Sequence, residues 1–60
     1  MDHQKIIREL YIRTCKDSGY QLEWAKAAKF VADELDTHPL QVWVAFPSME
    51  DMKKIAEGKQ

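Results

Sequence analysis

The sequence predicts an all-α protein, a single domain of 60 residues folded as a small bundle of three to four helices over about 3–17, 21–35, 38–46 and 48–57. Three observations predict it. Apolar residues recur three and four positions apart in the first, second and last segments, the period that gathers them on one side of a helix. The second segment is rich in alanine, the strongest helix former. Helix stops and starts stand between the segments, at Ser18-Gly19, Pro47-Ser48 and Gly58, and no repeat or long linker divides the chain.

In the first helix, Ile6, Ile7, Leu10 and Tyr11, continued by Thr14 and Cys15, make the apolar face, with Lys5, Arg8, Glu9, Arg13 and Lys16 opposite. Asp2 suits the N-cap, Lys16 suits the negative end of the helix dipole, and Gly19 suits the left-handed turn that closes a helix. Glu9 and Arg13 stand four apart, a pair that adds roughly 0.2–0.5 kcal/mol. In the second helix, Trp24, Ala28, Val31 and Leu35 form a stripe that Leu22, Ala25 and Ala32 widen. Small side chains there let a neighbouring helix approach closely. Lys29 and Asp33 read as a solvated pair. Asp33, Glu34 and Asp36 crowd the C-terminal end against the dipole. They read first as solvated surface, with an acidic patch for a basic partner as the rival.

Between Pro39 and Pro47, six of the seven residues from Leu40 to Phe46 are apolar. A short helix is favoured here, with Thr37 as N-cap, Pro39 in the first turn where a missing N–H costs nothing, and Leu40, Trp43 and Val44 facing inward. The competing reading follows β propensity: an α-α-β-α chain in which residues 40–46 form a strand pairing across a dimer. In the last segment Ser48 caps a helix with Asp51 at the capping-box position. Met49, Met52, Ile55 and Ala56 make its apolar face, and Gly58 ends it.

Size and composition then narrow the function. A chain this short buries only about 60% of its unfolded surface, which leaves its stability marginal without a metal, disulfide or partner. Cys15 is the one cysteine, so neither an intrachain disulfide nor a cysteine zinc cluster forms, which fits a reducing, cytoplasmic setting. No segment has the pattern of a secretion signal or approaches the ~20 apolar residues that span a bilayer, so no membrane role is expected. Nine Lys and Arg against ten Asp and Glu give a net charge of -1, without the basic excess of a dedicated DNA binder.

Chemistry has few candidates. Asp36, Thr37 and His38 place a carboxylate, a hydroxyl and an imidazole side by side, but neighbours in sequence do not thereby make a triad, and the local reading is a helix cap. His3 and His38 lack a ligand at metal spacing, and Cys15 shares the face of Tyr11 as a small core residue. With Gly19 and Gly58 the only glycines, no phosphate loop exists. The sequence therefore predicts no enzyme, no cofactor, no metal and no small-molecule substrate. Trp24 among alanines reads as core. Around Trp43 side chains point both ways, so part of Trp43, or Val42 or Phe46, is expected at the surface.

Residues 30–42, Phe30-Val31-Ala32-Asp33-Glu34-Leu35-Asp36-Thr37-His38-Pro39-Leu40-Gln41-Val42, resemble the helix-turn-helix of lambda-repressor-like regulators. Residues 47–56, Pro47-Ser48-Met49-Glu50-Asp51-Met52-Lys53-Lys54-Ile55-Ala56, resemble the helix that follows it there. The resemblance implies that the second helix of the pair enters the major groove, with His38, Leu40, Gln41 and Trp43 facing bases. Asp36 stands where that family usually has Gly, and the reading helix has no Lys, Arg or Asn, leaving Gln41 as the one residue suited to a bidentate base contact. Two functions are thus expected. The leading one is a small regulatory or inhibitory protein, of the kind found in bacteria or their phages, that binds another protein or a second copy of itself through Leu40, Val42, Trp43 and Phe46. The alternative is a dimeric helix-turn-helix DNA-binding regulator using His38, Gln41 and Trp43.

Overall fold

Four helices account for the regular structure of residues 3–59, the part of the chain that the computed structural model describes: α1 (His3–Asp17), α2 (Trp24–Glu34), α3 (Pro39–Trp43) and α4 (Met49–Ala56). Among these residues there is no strand, so residues 40–46 are helix and turn rather than the β-segment of the alternative reading. No helix among them is long and apolar enough to cross a membrane. Asp2, expected as the cap of α1, lies outside the described residues.

α2 packs against each of the other three helices. Its buried face is Ala27, Ala28, Val31 and Ala32, small side chains that keep its neighbours close. Trp24 and Leu35, expected in the stripe, pack at its edge, and Ala25 is exposed. α1 buries Ile7, Tyr11, Thr14 and Cys15; Leu10 is half-buried and Ile6 largely exposed. α4 buries Met52 and Ala56, with Ile55 at the edge and Met49 in solvent. Tyr11 joins the layers. Its hydroxyl donates to the carbonyl of Met52 at 2.8 Å, and its ring meets Phe46 edge-on with centroids 5.0 Å apart.

α1, α2 and α4 close in the same way. The amide two residues past the cap bonds back to a carbonyl five residues earlier: Tyr20 to Cys15 at 2.9 Å, Thr37 to Ala32 at 2.8 Å and Lys59 to Lys54 at 2.7 Å. The residue between is left-handed each time, Gly19 at φ 69°, Asp36 at 52° and Gly58 at 77°. Tyr20 follows at φ 61°. Two successive left-handed residues turn the chain out of the helix, so α2 begins at Trp24 and not near 21.

α3 departs most from expectation. Thr37 closes α2, and the N-cap is His38, whose Nδ1 accepts the Leu40 amide at 3.1 Å. The helix lasts five residues. Beyond it, the amides of Ala45 and Phe46 bond to carbonyls three residues back, a tighter winding that swings Phe46 into the core. Val42, Ala45 and Phe46 are therefore the buried residues, whereas Leu40, Trp43 and Val44, expected inward, face out.

Candidate interaction surface

Because α3 is apolar on nearly every side, burying Val42 necessarily exposes others. Leu40 is 50% exposed, Trp43 37% and Val44 61%, and their i, i+3, i+4 spacing puts them on one side of the helix. Of the four residues expected to bind a protein, Leu40 and Trp43 are thus available. Val42 is sealed in the core, and Phe46 packs inside the bundle, away from this side of α3, with only its margin lining a hollow between α1 and α4.

The exposed side continues beyond α3. The Trp43 ring lies 5.7 Å from the Trp24 ring, centroid to centroid, tilted by 50°. Lys53 of α4 holds its Nζ 6.0 Å from the Trp24 ring centre, at the outer reach of a cation–π contact. Past Trp24 opens a hollow of about 420 Å³ walled by Tyr20, Leu22 and Trp24, with Glu23, Lys53 and Glu57 around it. Tyr20 lies over Gly58, where an added Cβ would come within 3.3 Å of its ring. On the other flank, Val44 and Gln41 border a second hollow of about 440 Å³ that Ile7 and Leu35 also line. Two indoles, two aliphatic residues and an aromatic-walled hollow form one surface drawn from α2, α3 and α4.

His38 and Gln41, the other residues of the DNA reading, are exposed. The His38 imidazole is engaged through Nδ1 in capping α3, and α3 carries no Lys or Arg. Asp36, Thr37 and His38 occupy the α2–α3 connection, while Ser48 Oγ accepts the Asp51 amide at 3.4 Å as the cap of α4. Cys15 is buried, and burial pushes its thiol up from the ordinary value of 9.0, which leaves it neutral and unreactive. No group of three or more His, Cys, Asp or Glu among the described residues could hold a metal ion.

The sequence reading missed Val44 as a surface residue, and missed Tyr20, Leu22 and Trp24 as walls of a hollow. Gly19 signalled a turn there, but no pattern in the residues told which way Tyr20 would leave it. No protein-family model, curated protein or solved structure matches the chain.

Proposed function

We propose that this chain is a small non-enzymatic regulatory or inhibitory protein, cytoplasmic and of bacterial or phage type, that docks the exposed side of α3 onto another protein. The observation that carries the reading is the Trp43–Trp24 pair, an indole left over a third exposed between Leu40 and Val44. Tryptophan is among the residues enriched at binding hot spots, and a contiguous exposed apolar patch marks an interaction site. The partner that fits offers a nonpolar side chain to the hollow beside Trp24 and polar groups to Glu23, Lys53 and Glu57 at its rim.

A photo-crosslinking amino acid placed at Leu40 or Val44 in the producing cell tests it. One dominant adduct is expected at both positions and none with the crosslinker at Glu9 on the outer face of α1. With that partner purified, Trp43→Ala should weaken binding about 30-fold, which corresponds to ~2 kcal/mol, while circular dichroism stays native. Equal adducts at Leu40 and Glu9 would sink the proposal, as would an adduct of twice the chain mass, which puts a second copy on this surface.

A second reading, a dimeric helix-turn-helix regulator, is favoured by the left-handed Asp36 in the turn between α2 and α3 and by the exposure of His38 and Gln41. It expects retardation of duplex DNA that falls steeply with salt, and no retardation at ~50 mM salt removes it.

A further inference from the structure

We propose that the chain also associates with itself head to tail, Phe30 of one copy seating in a cation-rimmed apolar hollow between α1 and α4 of the next. The hollow measures about 530 Å³. Its floor is Ile12 of α1 with Phe46, Pro47 and Ile55, and Arg8, Lys54 and Lys59 stand around it against one carboxylate, Asp51. Lys59 reaches Glu57 at 3.8 Å in open solvent, while Arg8 and Lys54 have no carboxylate partner among the described residues. An apolar floor under an excess of positive charge fits a nonpolar side chain flanked by acids.

That complement stands on the same chain. Phe30 is 53% exposed on α2, and Asp33 and Glu34 follow it by three and four residues on the same side, with Asp36 just beyond. A copy does not fill its own hollow, because Phe30 borders a different depression with Leu22 and Lys26. The order of charge also matches. α2 runs Lys26, Phe30, Asp33, Glu34, and the rim runs Asp51, Lys54, Lys59, so an α2 laid parallel to α4 meets opposite charge at both ends. Exposed ion pairs add little affinity and are screened by salt, whereas reversing one sets like charges against each other and opposes docking outright. Phe30 supplies the attraction, and the charges set its direction.

Since knob and hollow lie on different surfaces, each added copy brings a free one of each, and assembly continues into chains or closes into rings. Sedimentation equilibrium over a roughly hundredfold range of concentration tests this. The mean mass should climb from 7.0 kDa past that of a dimer, and Phe30→Ser and Lys54→Glu should each remain monomeric. Mixing those two variants, one with a working hollow and the other with a working knob, should restore a heterodimer that stops at two copies. Glu34→Lys should weaken assembly as well, and Trp43→Ala should leave it unchanged, which separates this contact from the α3 surface. A wild-type chain that stays monomeric, a Phe30→Ser chain that assembles like wild type, or a mixture that yields no heterodimer overturns the proposal.

Discussion

The phenol of Tyr11 donates to the Met52 carbonyl while its ring meets Phe46, so one side chain fastens α1 to α4 and to the turn after α3. Burial, and then the neighbouring Cys15, pushes its ionisation well above the ordinary 10.0. Burial likewise raises the Cys15 thiol above 9.0, with the nearby Tyr11 hydroxyl opposing part of that rise. The folded chain thus holds both protons after the unfolded chain has begun to lose them. Stability is complete below those ordinary values and declines as pH rises through them towards the raised, folded ones. Urea midpoints should agree between about pH 6 and 8 and fall by about pH 10.5. Tyr11→Phe should cost about 1–2 kcal/mol at neutral pH through the lost hydrogen bond, yet flatten the alkaline decline. An equal decline in wild type and Tyr11→Phe would show that the phenol is not its source. The sequence placed Tyr11 and Cys15 together on one helix face. That Tyr11 would find a carbonyl 41 residues away is a distance no local pattern encodes.

At the scale of the helix, ends were more legible than faces. Gly19 and Gly58 were read as stops because a left-handed residue closes a helix without strain when it has no Cβ. Asp36 performs the same closure at φ 52° with a side chain present. Asp36→Gly should therefore raise stability by about 0.5 kcal/mol, steric relief exceeding the added freedom of the unfolded chain. Gly58→Ala should lower it by about 1–2 kcal/mol, because the new Cβ meets both the left-handed backbone and the Tyr20 ring at 3.3 Å. Thermal melts of the two variants moving in the same direction would contradict this account. Thr37 was expected to open α3, but its amide already closes α2, which leaves His38 as the cap. Two caps competing for adjacent residues are resolved by the path of the chain, and residue type does not reveal that path.

At the scale of the molecule, α2 stands against all three other helices, and α4 closes the core through Met52 and Ala56. A core drawn from so few elements has no spare part. Ending the chain after Pro47 should expose Tyr11 and abolish the cooperative thermal transition seen by circular dichroism. A truncated chain that still melts cooperatively would show that α1 to α3 suffice. By itself the sequence determined that the first, second and last segments are helices and roughly where they stop, because hydrogen bonds within a helix and the residues that cap it are neighbours along the chain. Only the tertiary structure decided which side of α3 faces in. A five-residue helix that is apolar on nearly every side has no period to read, and the choice fell to Val42 in the core and to the tightened turn that carries Phe46 to Tyr11. That choice turned Leu40, Trp43 and Val44 outward and so made the surface on which the proposed function rests.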